Sequence, residues 1–416
     1  MSRLVCVWVE RSSPPPPPMA FPRPLLPCTV TAALAAPAAA QGTDPEPAVL
    51  PVLTMRPGEG ITSDGGDAFR LTFKNRIQTR WEATVAEDAP DTQQFRLRRV
   101  RTGFAGHVFR PELLYTIQFQ WIDADSPLKD AWAQWNFLQE AEDTVGFRAG
   151  QANSFYGLEG TGSSTGLYFL ERSDAAKFFS DSRGRGAWLH GLHADRTVRW
   201  TLGAMNRGVA SRIDGSEEGD NTDNELVWVA AANVDPFGDY VGGGKSLESL
   251  VQGDLAHTAD LRATFGAALA HDGQERDVFG IGSPTTSEQA TLNTMARWRG
   301  WWFGAEAFWR GDEAEDGRSF SHHGFWAALG YTLPRLDDGT QQWGLGARWS
   351  TRDPDGGVQG AGGSGTRFDA IRELSFSLNA FHRGHPLKTQ LGVVHTADDT
   401  TDTDSIGIVL QLQVTI

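Results

Sequence analysis

From Phe69 onward, apolar and polar residues alternate with period two, the pattern of strands whose two faces meet different surroundings. One parity of the first such run holds Phe69, Leu71, Phe73, Ile77 and Trp81, and the other holds Arg70, Thr72, Lys74, Arg76, Gln78 and Arg80. The theme returns in Leu113 to Trp121, Trp301 to Trp309 and Trp343 to Trp349. The chain ends in Ile406, Ile408, Leu410, Leu412, Val414 and Ile416 against Gln411, Gln413 and Thr415. The pattern predicts sixteen strands, near 68–81, 94–108, 113–122, 129–138, 143–149, 187–195, 197–205, 225–234, 261–270, 291–299, 301–310, 322–332, 342–350, 371–380, 387–395 and 405–416.

The connections carry a second pattern. Those after odd-numbered strands are mostly long and polar, notably 150–186, 206–224 and 351–370, whereas Arg110-Pro111-Glu112, Asp195-Arg196 and Gly300 are tight. Residues 235–260 break the rule, being a long connection on the tight-turn side. Apolar faces often begin or end in an aromatic, as an interfacial girdle requires, and a tilted strand of about 9–11 residues crosses an outer membrane. The expected fold is all-β: a sixteen-stranded antiparallel transmembrane β-barrel.

The first residues do not fit the strand pattern. Arg23, the apolar stretch Leu25 to Ala36 and Ala38-Ala39-Ala40 read as a signal peptide over 1–40. Residues 41–66 are rich in Pro and Gly and read as a periplasmic lead-in, leaving 67–416 as the barrel. Both cysteines, Cys6 and Cys28, precede the cleavage point, so the mature chain has no thiol chemistry. No apolar run after residue 40 reaches the about 18 residues that a membrane helix needs. A net charge of −15 argues against nucleic acid as a partner.

Six segments, in order, resemble the phosphate-selective porin O and P family: Phe95 to Phe109 (FRLRRVRTGFAGHVF), Leu128 to Trp132, Val145 to Gln151, Phe169-Leu170-Glu171-Arg172, Asn233 to Phe237, and Glu373 to Asn379. The resemblance spans most of 68–416. It implies a sixteen-stranded porin of the Gram-negative outer membrane, usually trimeric, that passes phosphate or other small anions. It also implies that the third loop, the long connection 150–186, is inward-folded and narrows the barrel. Lipopolysaccharide and outer-membrane lipid are the expected surroundings.

The candidate anion-binding and pore-lining residues are Arg70, Lys74, Arg76 and Arg80 on the first strand, and Arg96, Arg98 and Arg101 on the second, where a parity slip would bring in Arg99 or Arg101. Arg172, Lys177, Arg183 and Arg185 join them from the third long connection. Arg76, Arg96, Arg98 and Arg172 are expected nearest the narrowest point. Fixed cations in a partly desolvated pore favour an anion, and the arginine fork suits phosphate. The opposing possibility is that Glu159, Glu171 and Asp174 neutralise most of Arg96, Arg98 and Arg101 and brace the loop. A general, weakly selective porin would then result, or a blocked structural or adhesive barrel. Acid clusters at Asp214 to Asp223, Asp312 to Asp316 and Asp398 to Asp404 read as solvated loop tips or as lipopolysaccharide bridges through divalent cations.

No enzyme, metal site or cofactor is expected. His190 and His193 have opposite parity on one strand, as do His322 and His323, so neither pair can chelate from one face. No G-x-S-x-G elbow or H-E-x-x-H helix is present. The glycine-rich stretch 356–365 lacks the Lys-Ser/Thr of a phosphate cradle and reads as a flexible loop.

Overall fold

The computed structural model describes residues 51–87, 90–122, 128–140, 143–180, 183–206, 225–243, 245–276, 285–335, 341–354 and 370–416. The signal segment 1–40, the acid cluster 214–223 and the stretch 356–365 lie outside them.

A short hairpin, β1 (Val52–Arg56) and β2 (Gly60–Asp64), precedes the barrel. Ile61 to Asp64 of β2 pair with Phe73 to Arg70 at the start of β3. The sixteen staves are β3 (Phe69–Ala86), β4 (Thr92–Val108), β5 (Arg110–Gln120), β6 (Leu128–Glu140), β7 (Asp143–Ala152), β8 (Gly184–His193), β9 (Val198–Asn206), β10 (Val227–Val234), β11 (Arg262–Arg276), β12 (Thr285–Trp298), β13 (Trp301–Ala314), β14 (Ser319–Thr332), β15 (Gln342–Asp353), β16 (Ile371–Phe381), β17 (Leu387–Asp398) and β18 (Thr403–Thr415). Each predicted strand overlaps one stave. All pair antiparallel with their neighbours, and β18 closes on β3 from Ser405↔Ala86 to Thr415↔Arg76. Ile416 extends the seam: its N–H donates to Asn75 O at 2.8 Å, and its carbonyl accepts from Asn75 N at 3.1 Å.

The outer parity of the barrel is apolar, and the inner parity is mostly polar apart from buried aromatics such as Trp302, Phe308 and Trp326. On β18, Leu410 is 46% exposed and its neighbour Gln411 is 1% exposed. Trp121, Trp135, Trp228, Trp298, Trp301 and Trp309 all lie on the exposed face, as girdle residues do. No helix among the described residues is long and apolar enough to cross a membrane.

Tight turns close one end. Arg299 (φ 48) and Gly300 (φ 89) join Trp298 to Trp301, with both central residues left-handed as a two-residue hairpin requires. The acid cluster at 312–316 divides: Asp316 sits in an exposed turn with Arg318, but Asp312 is on β13, buried and bonded to Arg310 and His322. Its parity on an extended strand, not its distance from the apolar run, decides where it points.

The longest described connection, 153–183, is largely buried. It carries two short helices, α1 (Leu158–Thr161) and α2 (Asp174–Phe179), and Ser173 caps the second by accepting from Ala176 N at 3.1 Å. Its apolar residues pack on the inner parity of the far wall. Phe179 stacks on Phe308 with ring centroids 5.3 Å apart, and Tyr168 on Trp302 at 6.0 Å. Glu306 of β13 accepts from Leu158 N at 2.6 Å, and the Tyr168 hydroxyl donates to Tyr331 O at 2.9 Å. Space for these rings comes from missing side chains. A Cβ on Gly344 would stand 2.1 Å from Tyr168, one on Gly324 2.6 Å from Phe179, and one on Gly392 2.1 Å from Leu170.

If the exposed parity faces lipid, a charge there is costly. Leu292, at the middle of β12 and 57% exposed, is expected to cost about 2–4 kcal/mol on Leu292→Arg. Denaturant titration of the protein folded into bilayers measures this; an unchanged midpoint would place that face in water.

Candidate functional site

The basic wall is built by β3, β4 and the 153–183 connection. Arg76, Gln78 and Arg80 share the buried parity of β3. On β4 the register shifts opposite Gln78 and Thr79: Gln78 pairs with Arg99, and Thr79 with Leu97. Arg98 is the extra residue. Such a bulge lets two consecutive side chains reach one target, and here the target is Glu171. Arg98 Nε and Arg99 Nη2 each lie 2.6 Å from its oxygens, and Arg80 Nη2 lies at 2.7 Å. Burial alone would raise the Glu171 carboxyl, but Arg99, Arg80 and Arg98 hold it well below the usual carboxylate range.

A second group of arginines has no carboxylate within ion-pair distance among the described residues. Arg76 donates to the Ser164 hydroxyl at 3.0 Å and to Thr165 Oγ1. Arg101, in register with Arg76, donates to Gln120 at 2.6 Å and Ser164 at 3.4 Å. Arg172 donates to the carbonyls of Glu159 and Gly162, both at 2.7 Å. Burial, then Arg183 and Arg99 against an opposing Glu159, pulls Arg172 down to about 10. It stays protonated at neutral pH.

Arg76, Arg101 and Arg172 line one cavity of about 620 Å³, together with Lys74, Arg183 and Lys245. Asp130 and Glu248 are its only acids among the described residues. Asp130 holds Arg183 at 2.8 Å, and Glu248 is engaged by Arg148 at 2.9 Å. Five of the six cations, all but Arg183, therefore carry no ion-pair partner among the described residues. Hydroxyls, amides and carbonyls orient these guanidiniums without cancelling their charge, the arrangement expected where an anion is to be met and released.

The other expected residues are distributed as follows. Arg70 is exposed and 3.9 Å from Asp64. Arg96 is in register with Arg80 and pairs with Glu82 at 3.2 Å. Lys177 is exposed on α2. Arg185 donates to Gln151 at 3.2 Å. Of the loop acids, Glu171 takes Arg98, as sequence suggested, but Arg80 and Arg99 replace Arg96 and Arg101. Asp174 goes to Arg352 at 2.5 Å. Glu159 is fully buried near Arg348.

Sequence reasoning missed Lys245, Arg148, Arg199 and Arg348. Arg199 is bonded to Asp235 and Asp239, and Arg348 to Glu373 at 2.7 Å. Their signal was present in the polar parity of β7, β9 and β15; Lys245 lies in an aperiodic connection that gave none. Among the described residues no group of His, Cys, Asp and Glu could hold a metal ion.

The fold has solved counterparts. The anion-selective porin of Comamonas acidovorans is 10% identical, with a TM-score of 0.50 over 84% of this chain and 100% of that one. The outer-membrane channel DcaP of Acinetobacter baumannii is 10% identical, with a TM-score of 0.52 over 83% and 97%. OprB of Pseudomonas putida is 8% identical, with a TM-score of 0.51 over 83% and 94%. At such identity the likeness concerns the fold alone. No curated protein matches the sequence. The family described as phosphate-selective porin O and P matches residues 69–335. That stretch carries the basic wall, the bulge and the 153–183 connection, and on it the chain belongs to this porin family and is an outer-membrane channel.

Proposed function

We propose that this porin passes small anions by passive diffusion, phosphate among them, and that the 153–183 connection folds inward as its constriction. The observation that carries the reading is the cavity lined by Arg76, Arg101 and Arg172, three cations with no carboxylate partner among the described residues. Most of the connection's apolar residues pack on β13 to β17, and the cavity lies between its polar side and the basic wall. The Glu171 cluster is the bracing element, three arginines to one carboxylate, and still carries excess positive charge. Several separate donors suit flux better than one tight site, since the ion must also leave. Export by the 1–40 signal and assembly as a homotrimer among outer-membrane lipid and lipopolysaccharide belong to the same proposal, on the strength of family membership.

Reversal potential in a planar bilayer under a KCl gradient, repeated with added phosphate, tests the reading. An anion-directed potential with chloride current reduced by phosphate is expected. A cation-directed or null potential would mean that the acids prevail, and absence of any conductance would identify a blocked barrel.

Arg101→Gln is expected to move the potential toward zero and weaken the phosphate effect, while Glu171→Gln moves it further in the anion direction by releasing three guanidiniums. The pH dependence follows from the depressed Glu171 carboxyl. Its contacts are intact above the unfolded value of about 4.3 and are lost only as pH falls through the lower folded value. The difference between the wild type and Glu171→Gln should therefore persist from neutral pH through the ordinary carboxylate range and vanish below it. A difference already gone at about pH 5 would refute the assignment.

A further inference from the structure

The long connection on the tight-turn side, 235–261, interrupts the alternation that governs the rest of the barrel. Its polar contacts show where it goes. Arg199 of β9 is bonded to Asp235 and Asp239, Arg297 of β12 donates to Tyr240 O at 2.6 Å, and Gln342 of β15 donates to Leu255 O at 3.0 Å. Asp254 accepts from Thr258 N and from Gly300 N at 2.8 Å. The three partner strands offer their inner parity and Gly300 lies in the turn between β12 and β13, so the segment is anchored on several walls at once.

One residue then meets the 153–183 connection with nearly every polar group it has. Gln252 is 2% exposed. Its N–H donates to Gly166 O at 2.8 Å, its side-chain oxygen accepts from Tyr168 N at 2.8 Å, and its side-chain amide donates to Glu159 at 3.0 Å. Its own carbonyl receives His385 Nε2 at 2.9 Å. Glu248 adds a contact with Asn153 at 3.0 Å. The two segments approach closely because glycines face each other's neighbours: a Cβ on Gly166 would stand 2.6 Å from Val251, and one on Gly253 2.6 Å from Tyr168. The residues thus held, 166 and 168, directly follow Ser164 and Thr165, whose hydroxyls orient Arg76.

We propose that Gln252 is a positioning residue for the anion cavity: the 235–261 segment, docked from the tight-turn end, fixes residues 163–168 of the opposing connection and with them the hydroxyls that hold Arg76 and Arg101. The pore's narrow region is then built by two segments from opposite ends of the barrel, and its selectivity is set partly by a residue that touches no ion. The proposal rests on the anion-channel reading for its selectivity readout only; the steadiness of the current is independent of it.

The test uses single-channel recording of the full-length protein in planar bilayers. Gln252→Ala is expected to lose the quiet open-channel current, to shift the reversal potential toward zero and to weaken the effect of added phosphate. Gln252→Glu sets a second carboxylate against Glu159 and should act in the same direction. The double variant Q252E/E159Q, which exchanges donor and acceptor across the same 3.0 Å contact, should restore both readouts, as a merely space-filling role would not. Gly166→Ala, made in the opposing segment, should reproduce the noise by pressing on Val251. Heat-modifiable mobility identifies variants whose barrel is intact. Intact Gln252→Ala and Gly166→Ala channels with wild-type current noise and reversal potential would overturn the proposal. Noise that appears in these variants of a channel without anion preference would uphold the docking while removing the selectivity reading.

Discussion

In hydrocarbon an unpaired backbone N–H or C=O has no water to turn to, and this constraint organises the molecule. Sixteen staves satisfy one another, and the β18–β3 seam, continued to Ile416, leaves no stave without two neighbours. Once the ring closes, the period-two alternation sorts every side chain. Outward positions need only be apolar. Inward positions become the place where charge can be held at close quarters, because the protein and not the solvent supplies its partners.

The interior uses that freedom unevenly. Against β13 to β15 it resembles the core of a soluble protein, with Phe308, Trp302 and Trp326 buried against the rings of the 153–183 connection. Against β3 and β4 it is an array of guanidiniums. The same connection serves both sides: its aromatic residues attach it to one wall, while Ser164, Thr165 and Glu171 receive arginines of the other. An ion pair such as Arg98–Glu171 fixes the connection in place, whereas a neutral acceptor such as Ser164 orients a cation and leaves its field available. That chemical difference separates bracing from conduction.

The staves were legible in the sequence because lipid and lumen impose opposite demands on adjacent residues, and Leu410 beside Gln411 records both. Arg76 and Arg80 could be placed on the inner face by parity alone. Arg99 could be offered only as an alternative to Arg101, because nothing in a single sequence marks the residue at which a bulge occurs; its position depends on Gln78 across the strand pair. Asp312 was misplaced for a related reason, since a run of acids resembles a loop whether or not one of them sits under an arginine and a histidine. The two long connections, 153–183 and 235–261, were least legible. Their residues answer to partners scattered over several strands, so no period emerges, and Gln252 looks like any other polar residue in an irregular stretch.

The glycines at 324, 344 and 392 carry a consequence for the history of the channel. They form a mould, emptied of side chains, in the outline of Tyr168, Phe179 and Leu170. Loop and mould lie in different parts of the gene, yet neither has value alone. Variation that changes the pore must alter the loop's polar side and spare its rings, or rewrite wall and loop together. Physically, the third connection and the wall form one packed unit, and a side chain added to either at these glycines must be matched by the other.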